Sequence, residues 1–469
     1  MTELPKGWVS SRLADVADVR LGRQRSPKNA TGDRMRPYLR AANVKWAGLD
    51  LSDVNEMAFT AAESQTYELR PGDLLLGEAS GSPSEVGKPG QYKGEIEGCC
   101  FQNTLLRVRL PEELLPDFYE HYFREQALNG RFAAGSRGVG IRHLGAAALS
   151  DWTIPVPPSA EQERIVTAIE EAFSKLDAGE AGLRAVRQLL KRMRDAILTA
   201  AVTGRLVPQD PTDTPAAKLL ADLGLATAGD DEDTPESWAR VRLGDIAHVG
   251  SGTTPRRGDA SYWEDGSVPW VTSGLITNGV IREVREFVTE RALQETSLRL
   301  WPMGTLLVAM YGEGQTRGRC AELGVEATCN QACAAISLLD PLRVYKDFLR
   351  LSFDANYAAN RRLASGGVQP NLNAGLIKDM VLSLPPPEQQ SRIVAEVDRQ
   401  FSFVDACERA VDVGLARSAG LRRSVLKAAF EGRLVPQDPA DESASVLLDR
   451  IRAERAAQPV AKRRARQTA

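Results

Sequence analysis

Several things are scarce in this 469-residue chain, and each scarcity excludes something. No apolar run approaches the ~20 residues that a membrane-spanning helix needs, and the opening MTELPKGW carries no apolar signal core. A soluble, cytoplasmic protein without a membrane partner is expected. The six cysteines (Cys99, Cys100, Cys320, Cys329, Cys333 and Cys407) show no CxxC spacing, so neither a zinc site nor a disulfide framework is indicated. Three histidines (His121, His143 and His248) are too few and too scattered for a metal cluster. Catalytic signatures are missing too. Residues 81–88, GSPSEVGK, imitate a phosphate loop, but the spacing is one residue too long and Pro89 stands where a magnesium-binding Ser or Thr belongs. Gly138-Val139-Gly140 and Gly250-Ser251-Gly252 are glycine fragments without the helix-opening context of a cofactor site. No Ser-His-Asp order, paired-carboxylate pattern or Asn-Pro-Pro-Tyr motif stands out. A binding role is expected, not catalysis, and no metal or cofactor. The formal net charge of −3 gives no global basic signal, so any nucleic-acid contact has to come from local patches of Lys and Arg.

What the chain does have is an internal repeat. Residues 204–211 read GRLVPQDP, and residues 432–439 read the same eight, at an offset of 228. At that offset Arg164-Ile165-Val166 matches Arg392-Ile393-Val394, Phe173-Ser174 matches Phe401-Ser402, and Asp177-Ala178 matches Asp405-Ala406. Upstream the likeness thins but keeps its order. Trp8, Arg12-Leu13 and Asp15-Val16-Ala17 align with Trp238, Arg242-Leu243 and Asp245-Ile246-Ala247, while Phe101-Gln102-Asn103 resembles Cys329-Asn330-Gln331. Such self-similarity is the mark of duplication. The C-terminal parts of the two copies stay alike and the N-terminal parts diverge. That is the pattern expected when one part meets a shared partner and the other reads different targets.

The similar parts read as long helices. Residues 161–203 lack proline and are rich in helix formers. Apolar residues recur every seven positions at Ile169, Leu176, Leu183, Leu190 and Ile197, with Ala172, Gly179, Val186, Met193 and Ala200 as a second row. The second copy carries Val397, Val404, Val411, Ser418 and Val425, with Gln400, Cys407, Gly414, Leu421 and Ala428. This a/d pattern predicts an intramolecular antiparallel coiled coil, bulky Leu and Ile facing slimmer residues, with pseudo-twofold symmetry. A helix that merely packs on its own domain is the alternative. Proline-rich steps, Pro155-Val156-Pro157-Pro158 and Pro385-Pro386-Pro387, mark where a strand hands over to each helix.

The diverged parts mix short β-rich runs, among them residues 74–76, 105–108 and 306–308, with short helices near 116–129 and 343–361. The fold class expected is α+β. The boundaries are a first globular module over 1–154, a helical spacer over 155–205 and a linker over 206–234 with a short helix near 216–223. A second module over 235–384, a spacer over 385–433 and a tail over 434–469 follow. After Asp441 the tail, with Lys462, Arg463, Arg464 and Arg466, is expected to be a solvated, disordered end. Arg pairs with guanine, and Asn or Gln with adenine, through bidentate bonds in the major groove. On that chemistry the DNA-contact candidates in the first module are Arg36, Tyr38, Arg40, Asn43, Lys45, Arg137 and Arg142. Those in the second are Arg256, Arg257, Tyr262, Thr272, Ser273, Gln315, Arg317, Gln369 and Asn371.

Three strings in the second module, SGTTPRRGDASYWEDGSVPWV (251–271), GTLLVAMYGEGQTRGRCA (304–321) and SGGVQPNLNAGLIKDMVLSLPPPEQQSRIV (365–394), carry a resemblance, as does IPVPPSAEQERIV (154–166) in the first. With these strings and the tandem GRLVP helix ends, the chain resembles the DNA-specificity subunit of Type I restriction-modification systems over nearly its whole length. The resemblance implies two target-recognition domains, each reading half of a split asymmetric site in double-stranded DNA, and two helical regions that space and dock. It also implies two methyltransferase subunits and up to two restriction (motor-nuclease) subunits as partners. S-adenosylmethionine would belong to the methyltransferase, ATP and Mg2+ to the restriction subunit, and no cofactor to this non-catalytic chain. The first module departs from the pattern: Arg36-Pro37-Tyr38-Leu39 stands where the second has Pro269-Trp270-Val271, and GVGIRHL replaces GVQPNLN. The rival readings are a coiled-coil scaffold that never touches DNA, a single-chain nuclease, and a specificity subunit of another restriction-modification architecture.

Overall fold

The computed structural model describes residues 4–134, 142–229, 231–277, 279–311, 316–362 and 372–457. The chain is a mixed helix-and-sheet protein that folds as two compact units, Met1–Leu183 with Val413–Ala469, and Arg184–Asp412. In the first unit β1 (Val9–Arg12) pairs antiparallel with β9 (Thr153–Val156), closing the module at its base. Between them lie β2 (Asp18–Leu21), β3 (Met35–Leu39), β4 (Asn55–Ala58), β5 (Leu74–Gly77), β6 (Pro89–Gln91), β7 (Cys100–Phe101) and β8 (Leu105–Arg109). They form a sheet of order β2-β8-β5-β6 and another of order β7-β3-β4. Helix α1 (Pro116–Leu128) starts on proline and buries Phe118, Tyr119, Tyr122 and Phe123. Helix α2 (Ser159–Val202) follows and runs on into the second unit.

The second unit opens its own module after the short helix α3 (Ala216–Asp222). Its strands are β10 (Ala239–Arg242), β11 (Ala247–Ser251), β12 (Val268–Val271), β13 (Val280–Ile281), β14 (Glu286–Val288), β15 (Leu306–Ala309), β16 (Cys320–Leu323), β17 (Thr328–Cys329), β18 (Cys333–Leu338) and β19 (Val381–Leu384). The sheet orders are β11-β18-β15-β16-β13, β14-β12-β17 and β10-β19. In order and direction these sheets repeat those of the first module, with β13 added at one edge; two short ladders of the first module, Val44–Lys45 with Gly48–Leu49 and Ala79–Ser80 with Arg142–His143, have no counterpart among the described residues of the second. Helices α4 (Lys346–Ala355) and α5 (Pro387–Phe430) follow, and α6 (Ala444–Ala457) ends the described chain.

Matching bonds hold the duplicated joints. Trp8 Nε1 donates to Glu161 Oε1 at 2.9 Å, and Trp238 Nε1 to Gln389 Oε1 at 2.8 Å, so each module's first tryptophan anchors the start of a long helix. The prolines just before those helices accept from tyrosines, Pro155 O from Tyr119 at 3.1 Å and Pro385 O from Tyr345 at 2.8 Å. Arg164 at the start of α2 holds Asp441 at 2.6 Å, and Arg392 at the start of α5 holds Asp213. The tail after Asp441 is therefore not the solvated end expected from its composition. Through residue 457 it is helical, because Leu447, Leu448 and Ile451 lie on one face of α6 and bury in the first unit's core. The basic residues Lys462, Arg463, Arg464 and Arg466 lie outside the described residues.

Within each unit α2 and α5 lie antiparallel. In the first, Arg422 reaches Asp177 and Glu180, Ser418 Oγ donates to Glu180 at 2.7 Å, and the Leu183 side chain sits over Gly414. In the second, Arg194 pairs with Asp405 and Glu408, and Arg187 with Asp412. Residue numbers rise along one helix as they fall along the other. Ile169, Leu190, Ile197, Val397, Val404, Val411 and Ser418 are buried, and Leu176, Leu183 and Val425 half-buried. The second rows are more open, with Val186 and Leu421 exposed.

Candidate nucleic-acid interface

The polar loops that follow the first sheet strand of each module are pinned at their start by a glycine. In the second module Gly252 N donates to Cys333 O at 3.1 Å and Thr253 N to Cys329 O at 2.9 Å. A Cβ at 252 would stand 2.1 Å from Cys329 O, so no side chain fits there. In the first module Gly22 N donates to Leu105 O and Arg23 N to Phe101 O, and a Cβ at 22 would stand 2.1 Å from Gln102 O. The similarity between Phe101-Gln102-Asn103 and Cys329-Asn330-Gln331 marks this crossing point.

From Gly252 the second module's loop is built rigidly. Asp259 caps a short 3-10 turn, accepting from Ser261 N at 3.1 Å and Ser261 Oγ at 2.6 Å. Those bonds hold its carboxyl below the usual range. Trp263 Nε1 closes the loop on Arg256 O at 3.2 Å, and Trp270 Nε1 reaches Thr253 O at 3.0 Å. The Arg257 guanidinium lies 4.1 Å from the Trp263 ring and 4.6 Å from the Trp270 ring, and pairs with Glu286 at 2.6 Å. Its side chain nevertheless stays 54% exposed. Arg256 beside it is exposed and makes no ion pair among the described residues. Tyr262 donates to Glu295 at 3.2 Å, while Thr272 and Ser273 open a half-buried 3-10 turn beyond β12. Arg317 is half-buried.

In the first module several expected contacts prove to be framework. Tyr38 is 1% exposed, because its position in β3 faces Met57, Phe59 and Cys100. Asn43 is 2% exposed and fully bonded: Oδ1 accepts from Arg40 N, and Nδ2 donates to Asp50 O at 2.8 Å and Asp53 O at 2.9 Å. It ties a turn and cannot meet a base edge as placed. Arg36 is paired with Glu68 at 3.0 Å, and Arg40 with Asp53 at 2.5 Å. Arg142 donates to Ala133 O at 2.8 Å. Lys45 is exposed on a two-residue strand. Arg137, Gln315, Gln369 and Asn371 lie outside the described residues.

The loop over 22–34 was not among the expected contacts. There Arg25, Lys28 and Arg34 are exposed and without ion pairs among the described residues, while buried Asn29 holds the turn by accepting from Ser26 N and donating to Gln24 O. The signal was available. Once Gly22 is aligned with Gly252, this loop is the counterpart of the one that carries Arg256. No group of three or more His, Cys, Asp or Glu among the described residues could hold a metal, and no helix among them is long and apolar enough to cross a membrane.

A duplicated α+β framework, presenting one pinned polar loop per copy and followed in each copy by a long helix, defines a two-module recognition protein. The chain belongs to the Type I restriction modification DNA specificity domain family, whose pattern it matches over residues 5–185 and 235–406. It is similar to the Type I restriction enzyme StySPI specificity subunit of Salmonella potsdam, at 25% identity across 97% of this chain and 96% of that one. Its identity to the EcoKI specificity subunit of Escherichia coli K12 is 26%, over 97% of both chains. A solved crystal structure of the HsdS subunit from Thermoanaerobacter tengcongensis shares the fold, with a TM-score of 0.56 at 19% identity over 92% of this chain and 98% of that one.

Proposed function

We propose that this chain is the DNA sequence-specificity subunit of a Type I restriction-modification complex, acting in the cytoplasm and itself non-catalytic. Each module reads one half of a bipartite, asymmetric site in double-stranded DNA. The observation that carries this reading is the twice-built pinned loop: Gly22 and Gly252 fix the same backbone crossing, while the side chains beyond them differ. One framework with two sets of tips is what an asymmetric split site requires. Arg256, Thr272 and Ser273 in the second module, and Arg25, Lys28, Arg34 and Lys45 in the first, are the contacts assigned. Arg and Lys serve phosphates as well as base edges.

The two long helices act as an antiparallel coiled coil with pseudo-twofold symmetry, seamed by Ile169, Leu176, Leu183, Leu190 and Ile197 against Val397, Val404, Val411 and Val425. Support comes from the heptad spacing and from the paired charges inside each unit. The like helix ends give two methyltransferase subunits matching surfaces, and up to two restriction subunits join them. S-adenosylmethionine is held by the methyltransferase, which acts on an adenine flipped from the duplex, and ATP and Mg2+ by the restriction subunit. The test is to exchange residues 235–384 for the corresponding module of a relative and sequence methylated genomic DNA. One half of the methylated motif is expected to change and the other to stay. A motif that stays whole, or changes in both halves, overturns the assignment.

A further inference from the structure

The second module contains a cavity of about 520 Å³ at the end of its sheet opposite the polar loops. The strand directions place it there. β15 begins at Leu306 beside the cavity and leads, past Ala309, toward Arg317; β18 begins at Cys333 near Gly252 and reaches the cavity at Ser337. Its lining includes Arg282, Thr305, Glu322, Ser337, Arg343 and Lys346.

The first module shows what normally fills this space. In the β5–β8 pair Leu74 stands opposite Val108, and in the β15–β18 pair Leu306 stands opposite Ile336. The residue before each first strand residue is thus Asp73 or Thr305, and the residue after each partner is Arg109 or Ser337. Asp73 is 1% exposed and takes both Arg109 Nε, at 2.7 Å, and Arg109 Nη2, at 2.6 Å. The first module plugs the position with a buried ion pair. In the second, two short hydroxyl residues replace that pair and leave the space open.

What remains in the open space is cationic and short of acceptors. Lys346 neutralises Glu322 at 2.6 Å, and Arg343 leans on Asp340 at 2.7 Å. Arg282 has no carboxylate partner among the described residues. Thr305 is 2% exposed, yet its Oγ1 has no hydrogen-bond partner. A buried hydroxyl left unbonded costs about 1 to 3 kcal/mol, so native proteins seldom keep one without use for it.

We propose that this cavity binds a small oxyanion-bearing metabolite, a phosphate monoester or a carboxylate. Its charged head takes the place that Asp73 holds in the first module, accepting from Arg282 and from the Thr305 hydroxyl once that buried oxygen turns about χ1 toward the cavity. The site is independent of the DNA-reading loops and lets one module respond to a ligand that the other cannot hold.

Isothermal titration of the full chain with inorganic phosphate, and separately with acetate, tests this. One site per chain is expected, and the anion that binds identifies the head group. Arg282→Ala should raise Kd at least about tenfold. Thr305→Asp with Ser337→Arg, which installs the first module's plug, should abolish binding with an unchanged far-ultraviolet circular dichroism spectrum. Should the double variant fail to fold, Arg282→Ala decides alone, because Arg282 is exposed. Heat from neither anion, or affinity unchanged in Arg282→Ala, overturns the proposal.

Discussion

Adjacent arginines in one loop have opposite fates. Both are exposed, but Arg257 lies against two indole rings and pairs with Glu286, whereas Arg256 makes no ion pair among the described residues and has its carbonyl tied to Trp263. Arg256→Ala should therefore weaken binding at the second module's half-site by about 1 to 3 kcal/mol if it reads a base, or lower the salt slope by about one if it meets a phosphate. Its unfolding midpoint should not move. Arg257→Ala should lower the stability of the module by about 0.5 to 1 kcal/mol, since the cation–π contacts and the solvent-screened ion pair go together. Competition binding at two salt concentrations and urea unfolding separate the two; equal behaviour of both variants would contradict the assignment. Residue type alone could not sort them. Tyr38 and Asn43 look like readers in the sequence because they are polar and sit among arginines, yet partners up to 62 residues away, such as Cys100 for Tyr38, bury them in the framework.

Elements carry the duplication more faithfully than residues do. The strands of the two modules pair in the same order, although few of their residues match. The short helices α3 and α6 occupy equivalent places after the long helices, 228 positions apart at their first residues. The burial of Leu447, Leu448 and Ile451 makes α6 part of the first unit's core. Leu447→Ala should cost about 2 to 5 kcal/mol of that unit's stability, as for other fully buried leucines. Limited proteolysis and urea unfolding would detect the loss, and an unchanged midpoint would mean that α6 does not belong to the cooperative unit. Neither the helix nor its docking was expected, although the alanines and leucines of 444–457 suit a helix. The end of a charged tail normally lacks a core to meet.

At the scale of the whole molecule the proposed function gives the long helices a spacing role. One inserted heptad in both, placed so that Arg194 still meets Asp405 or Asp177 still meets Arg422, adds about 10 Å of helix. If the helices act as a ruler, the spacer between half-sites should grow by about three base pairs at ~3.4 Å each. Methylome sequencing gives the new spacer directly. A spacer that stays fixed would refute the ruler.

The sequence by itself determined the repeat, its period, the two long helices and the class of fold. These are statements about local pattern, and a heptad or a repeated string needs no tertiary contact to be read. It also carried the family, through strings long enough to be specific. Only the tertiary structure decided which polar residues are committed and which are available. The Asn43 amide, which satisfies the carbonyls of Asp50 and Asp53, is committed by partners that chain spacing does not reveal. The same holds for the open space at Thr305 and Ser337. Two small hydroxyl residues are unremarkable in the sequence, and only the strand register sets them against Asp73 and Arg109.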